Sequence, residues 1–302
     1  MCSSDLGRGI VVAMPTFPRA LAFAAVLACA APLPAQSRAA APLKVFISID
    51  MEGLAGVVNG TDVQPGKPDY PYFRSIMAGE ANAAIDGAFR AGATEVVVRD
   101  SHGNKDNMIP GDLDPRARLI RGVSTGGKNM MEGIDSTFGA VVFVGFHAKA
   151  GTPKAILAHT STGNVVDISI NGVSLPEGGY NALIAGLYGV PVVFAAGDRA
   201  LTEQITGLLG PIETVATKYE VAGAINGLAP KAAQDAIRTG VERAVRERGR
   251  AQPYRLAPPY TMTLKVKQER PLHAGATRVR EGEFTFTHAD LLQVLTAFNA
   301  MK

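Results

Sequence analysis

The chain has 302 residues, 47% of them hydrophobic and 19% charged, with a formal net charge of +3. This describes a well-packed globular protein, long enough for one large domain or two small ones. Lys and Arg form no stripe interleaved with aromatics, which excludes a nucleic-acid-binding footprint.

Residues 1–35 read as a leader. Arg19 precedes an apolar run from Ala20 to Ala31, and Pro32-Leu33-Pro34-Ala35 supplies a small-residue cleavage site. Residues 1–13 look foreign to this signal, and Met14 is its more natural start. The run is too short and too alanine-rich for a membrane span. Cleavage after Ala35 leaves a periplasmic or secreted chain with no membrane span. The second reading takes Val26-Leu27-Ala28-Cys29 as a lipoprotein box with Cys29 lipidated, a pattern that Leu27 fits poorly. Cys2 and Cys29 are the only cysteines. The exported chain therefore has no thiol, which excludes cysteine catalysis and thiolate metal sites. Its core must carry stability without disulfides.

Residues 36–42 form an alanine-rich linker, residues 43–200 a metal-binding α/β core, and residues 201–302 a C-terminal α+β portion of the same catalytic unit. The first strand, Lys44-Val45-Phe46-Ile47-Ser48-Ile49, is apolar enough to be buried on both faces. It runs into Asp50-Met51-Glu52-Gly53, two carboxylates followed by a residue that turns sharply. Residues 73–91 carry apolar positions at helical spacing, closed by Gly92. A second buried strand, Glu95 to Arg99, runs into Asp100-Ser101-His102, and a third, Ala140 to Val144, into Gly145-Phe146-His147. Three times an apolar strand ends in a carboxylate or histidine beside a glycine. In one parallel sheet those ends lie side by side, where open α/β folds build their sites.

Val165 to Asn171 reads as a strand closed by the turn Asn171-Gly172, and Glu177 opens a helix through Tyr188. Val190 to Ala196 is a further buried strand, Ala229 to Arg248 an amphipathic helix, and Met262 to Val266 a strand with one wet face. The spacing predicts a terminal helix from Thr287 to Phe298 with Thr287 as its N-cap. The fold class is a three-layer α/β/α domain with a mainly parallel sheet and the smaller C-terminal α+β portion attached.

Asp50, Glu52, His102, His147 and Glu177 form a set of three carboxylates and two imidazoles that suits zinc, with manganese or cobalt as alternatives. Five ligands exceed one tetrahedral zinc and fit two metals with one bridging carboxylate. His273 and His288, in the polar C-terminal region, read as structural histidines. Asp100 and Asn104 read as ordinary loop hydrogen-bonding residues rather than as groups that orient ligands.

Ser48-Ile49-Asp50-Met51-Glu52-Gly53, Asp100-Ser101-His102, Gly145-Phe146-His147-Ala148 and Glu177-Gly178-Gly179-Tyr180-Asn181-Ala182 resemble the successive motifs of the zinc D-aminopeptidases of the dipeptide-transport protein A type. The resemblance spans Leu43 to the C-terminus and loosens in the last third. It implies an exopeptidase with two zinc ions, acting on short peptides with an N-terminal D-residue such as D-alanine. It implies Asp50, Glu52, His102, His147 and Glu177 as ligands, and a ring-like homo-oligomer. The remaining catalytic histidine of the family maps onto His159, for which acid–base catalysis or oxyanion stabilisation is the simplest role. Two rivals stand beside this reading. A binuclear phosphoesterase would need cations for phosphate, and Lys149 and Lys154 are near His147 in sequence. An exported peptide-binding protein would need a cleft but no metal cluster.

Overall fold

The computed structural model describes residues 10–16 and 42–302. The leader's apolar run, its cleavage site and Cys29 lie outside the described residues. Residues 42–302 belong to one compact unit.

In chain order the elements are β1 (Lys44–Ile49), α1 (Tyr70–Arg90), β2 (Glu95–Asp100), β3 (Arg118–Ile120), β4 (Phe138–Phe146), β5 (Val165–Ile170), β6 (Val173–Ser174), α2 (Glu177–Leu187), β7 (Val192–Asp198), α3 (Arg199–Leu209), β8 (Glu213–Val221), β9 (Ala224–Gly227), α4 (Pro230–Arg246), β10 (Tyr260–Val266), β11 (Thr277–Arg280), β12 (Glu283–His288) and α5 (Leu291–Met301). The larger sheet has the order β3-β2-β1-β4-β7-β8-β9, parallel throughout except for the β9 edge. The chain moves outward from β1 through β2 to β3, then returns to build β4, β7 and β8 on the other side. The connections therefore diverge at the carboxyl ends of β1 and β4, the position where doubly wound sheets hold ligands.

Helices α1 and α4 cover one face of this sheet and share its first core, with Met77, Ile85, Ile237 and Val241 fully enclosed. Pro71 stands in the first turn of α1 and Gly92, with φ 94°, follows its end. On the other face, α2 and α3 contribute to a second core that continues into β5, β10, β12 and α5. The smaller sheet, in the order β11-β12-β10-β5-β6, is antiparallel. Asn171 and Gly172 join β5 to β6 with φ 51° and 80°, both in the left-handed region that a primed hairpin turn requires.

Two expectations need correction. The division at residue 200 does not follow the sheets: β8, β9 and α4 complete the larger sheet and its cover, whereas β5 and β6, from the earlier half, belong to the smaller one. Thr287 does not cap the terminal helix. It pairs with Thr261 across β10 and β12, and the cap is Asp290, whose carboxylate accepts from Leu292 N at 2.8 Å.

Candidate metal centre

The site gathers where β1 and β4 end. Asp50 N donates to Val144 O at 2.9 Å and Gly53 N to Gly145 O at 2.7 Å, so the chain leaving β1 stays bonded to β4. Both glycines are required by this approach. A Cβ on Gly53 would lie 1.9 Å from Phe146 O, and one on Gly145, already at φ 68°, 2.1 Å from Asp50 O. Beside them, Ser48 Oγ at the end of β1 lies 2.6 Å from Ser101 Oγ just beyond β2 and donates to Met130 O at 3.0 Å.

Asp50, Glu52, His102, His147 and Glu177 all converge here, together with His159. His102 Nδ1 lies 3.1 Å from both Asp50 Oδ1 and Glu52 Oε2, while its Nε2 donates to Val63 O at 2.9 Å. His147 Nδ1 donates to Ala148 O at 3.0 Å. Its Nε2 is buried with no hydrogen-bond partner, 3.4 Å from Glu177 Oε1 and 3.7 Å from Asp50 Oδ2. His159 Nδ1 donates to Leu157 O at 2.9 Å, and its Nε2 lies 3.7 Å from Glu177 Oε1 and 3.9 Å from Glu52 Oε1. The rings of His147 and His159 stack, with centroids 4.0 Å apart.

One pattern recurs three times. Each imidazole gives one N–H to a backbone carbonyl and turns its other nitrogen toward carboxylates. In a neutral ring that nitrogen is a lone pair, and a lone pair facing carboxylates is repulsive unless a proton or a cation lies between them. The carbonyl contacts fix tautomer and orientation in the manner of metal-ligating histidines. The donors therefore fit divalent metal, and they divide into overlapping groups: Asp50, Glu52 and His102; Asp50, His147 and Glu177; and Glu52, His147 and His159. Asp50 directs one oxygen at His102 and the other at His147, which suits it to bridge.

Without metal, protons do this work. Burial opposes charge on His102, but Glu52 and Asp50 overcome it and push the ring up to about 11. Burial likewise opposes charge on His147, and Glu177 chiefly raises it to about 10. Burial would raise Glu177, yet His147 holds it down at about 2. Glu52 is held well below the usual carboxylate range in the same way, burial being outweighed by His102. These raised imidazoles stabilise the metal-free fold fully below the unfolded value of about 6.5, and that stability is lost as pH rises through about 10 to 11. Zinc-free protein is therefore expected to lose melting temperature steadily from pH 7 to pH 10. Zinc-loaded protein, whose ligating nitrogens carry no proton, should have a much flatter profile. Parallel profiles in thermal melts would contradict the arrangement.

The loop that carries Glu52 is held from beneath. Lys218 on β8 is buried, and its Nζ donates to the carbonyls of Glu52 at 2.5 Å, Leu54 at 2.9 Å and Val57 at 2.6 Å. Glu80 on α1 accepts from Ala55 N at 2.8 Å. Burial pulls Lys218 down to about 8 and pushes Glu80 up to about 7, each moderated by the other. Lys218→Met would leave the buried carbonyls of Glu52 and Val57 without a donor and take away the positive charge that moderates Glu80. The expected loss is about 3–5 kcal/mol of stability, read by denaturant unfolding.

The His159 loop is strained. Lys154, Leu157 and Ser161 take φ of 57°, 55° and 64°, each costing roughly 1–3 kcal/mol for a side-chain-bearing residue. Asp198, at the end of β7, anchors this loop by accepting from Ile156 N at 3.2 Å, and Ser161 N donates to Glu177 Oε1 at 2.6 Å. Composition gives no sign of Ser161, Lys218 or Glu80 as supports, because their partners lie far away in sequence. Asp100 is the buried last residue of β2 rather than a loop residue, and it holds the loop that follows by accepting from Asn107 Nδ2 at 2.9 Å and from Met108 N at 2.8 Å. His288 accepts from Asp290 N at 2.9 Å and lies away from the site.

A cleft of about 730 Å³ opens over the cluster, with Asp50, Glu52, His102, His159 and Glu177 in its lining. The profile of the D-aminopeptidase family matches residues 43–300. The chain belongs to the D-aminopeptidase family. A family relative, the D-aminopeptidase of Bacillus subtilis (strain 168), is 35% identical over 226 residues, covering 74% of this chain and 81% of the relative. The solved structure of the Zn-dependent D-aminopeptidase DppA from Bacillus subtilis, described as a self-compartmentalizing protease, superposes with a TM-score of 0.81 at 30% identity. That match covers 85% of this chain and 96% of the other. The three-layer α/β fold and the metallo-aminopeptidase class agree with the sequence reading.

Proposed function

We propose that the chain is an aminopeptidase that holds two zinc ions and removes an N-terminal D-residue, such as D-alanine, from short peptides. The observation that carries this reading is the triple pattern of imidazoles, each pinned by a carbonyl and aimed at shared carboxylates. Asp50, Glu52, His102, His147 and Glu177 would hold the ions, and Asp50, with an oxygen toward each of two imidazoles, is the carboxylate suited to be shared. Bound zinc supplies Lewis acidity toward water and toward the scissile carbonyl.

His159 moves the proton. Its side chain is 27% exposed to the cleft, against 1% for His147, so substrate reaches it. Its Nδ1 proton is committed to Leu157 O, so the neutral ring presents a lone pair at Nε2. This removes oxyanion stabilisation by a neutral His159. The neutral ring takes a proton from the attacking water, and the resulting imidazolium returns it to the leaving amine.

Neither lysine near His147 that the phosphoesterase alternative called on is free in the cleft, so that alternative is left to the assay. Lys149 is 3.5 Å from Asp167 and donates to Ser174 Oγ at 2.5 Å, while Lys154 is exposed and outside the lining of the cleft. Self-compartmentalisation in the solved relative favours a homo-oligomer here too, and the leader favours export. The test is a zinc-loaded assay on D-alanyl-D-alanine, L-alanyl-L-alanine and a phosphate monoester. Release of D-alanine, with two zinc ions per chain, is expected. Phosphate release, or no peptide turnover at full zinc loading, would overturn the reading.

A further inference from the structure

The cleft has an end that the metal centre does not use. Lys302, just beyond α5, extends its side chain into the lining beside Asn299 and Ser161. Its Nζ donates to Ser161 Oγ at 2.6 Å and to Asn299 Oδ1 at 2.9 Å, both neutral oxygens. Among the described residues no carboxylate lies within ion-pairing distance of it. Lys105 lines the same cleft, and its Nζ donates to a neutral acceptor as well, Ser101 O. Two ammonium groups thus share a cleft without a protein anion bonded to either. Burial draws Lys302 down to about 8; Glu177 opposes this, and the like charge of Lys105 adds to it.

Position supplies the second part. Ser161 accepts from Lys302 through Oγ and donates to Glu177 Oε1 through its backbone N–H, each bond being 2.6 Å long. Two such bonds through one residue keep Nζ within roughly 9 Å of that carboxylate oxygen. A peptide spans at most about 3.3–3.6 Å per residue. A scissile bond at the metal centre therefore leaves room for one or two residues before the chain reaches the ammonium group.

We infer that Lys302, assisted by Lys105, receives the free C-terminal carboxylate of the substrate, so that the enzyme selects di- and tripeptides with an unblocked carboxyl end. This rests on the aminopeptidase reading above and adds the group that measures substrate length. Only the carboxylate of a short peptide reaches Lys302 with its amino end at the metals. A longer chain, an ester or an amide leaves the cation unmatched, and an unmatched buried charge disfavours binding.

The test compares zinc-loaded wild type, Lys302→Met and Lys302→Arg on D-alanyl-D-alanine and on its C-terminal amide. Wild type should prefer the free acid by about 10–100-fold in kcat/KM, mostly through KM, the scale of one hydrogen-bonded charge pair. Lys302→Met should bring the acid-to-amide ratio close to one, and Lys302→Arg should keep most of it. A purely structural role would change both substrates alike and leave the ratio intact, which overturns the inference. Should Lys302→Met fail to fold, the wild-type ratio still decides: equal kcat/KM for acid and amide overturns the inference while the aminopeptidase reading survives. Hydrolysis of neither substrate by zinc-loaded wild type overturns both.

Discussion

Asp50→Ala protein is expected to purify with less than one zinc ion per chain and to lose D-alanyl peptidase activity by at least about 10⁴-fold, the scale on which an essential catalytic group acts. The reason is geometric. Asp50 Oδ1 lies 3.1 Å from His102 Nδ1 and Oδ2 lies 3.7 Å from His147 Nε2, so two of the three donor groups lose a member at once. The change should also unbalance the metal-free site, because two imidazoles held protonated by their neighbours lose a shared counter-charge. Metal analysis and steady-state kinetics on the same preparation check this. Near-stoichiometric double zinc loading in Asp50→Ala would show that the bridge lies elsewhere, Glu52 being the other carboxylate that enters two of the groups.

His159→Ala separates chemistry from metal binding. Its Nε2, at 3.7 and 3.9 Å, is farther from the carboxylates than His102 Nδ1 at 3.1 Å, and the ring opens to the cleft, so both zinc ions should remain. Turnover should fall by about 10²–10⁴-fold, the usual contribution of a positioned proton-transfer group. The loss should lie in kcat rather than in KM. Two outcomes would refute the assignment. Near wild-type kcat with full zinc would make His159 a bystander, and loss of one zinc ion would make it a ligand alongside Glu52 and His147.

Much of this arrangement is legible in the chain because β1, β2, β4 and β7 are buried on both faces, and such strands read as unbroken apolar runs. Their polar ends are conspicuous for the same reason. The smaller sheet hides because β5 pairs with β10, more than ninety residues later, a partnership no local pattern announces. Thr287 illustrates the conflict: its side chain suits a helix cap, but cross-strand pairing with Thr261 claims the residue first. Nothing in the local pattern marks Lys218. It is buried because carbonyls of the Glu52 loop, far away in sequence, close over its ammonium group. His159 becomes a site residue through the family resemblance, since its loop has no strand end to place it.

The three ligand groups reach across very different lengths of chain. Asp50, Glu52 and His102 all belong to the segment that makes β1, α1 and β2, so one group is complete once that unit forms. The group of Asp50, His147 and Glu177 exists only after β4 has entered the sheet and α2 has docked. The entropy of the larger closure is modest, since each doubling of loop length adds only about 0.6 kcal/mol. What differs is timing. On an emerging chain the first group is available for capture while the second half of its partner is still unmade. By mass action, metal held by the second group would stabilise the closed state and so join an early-formed unit to elements synthesised after it.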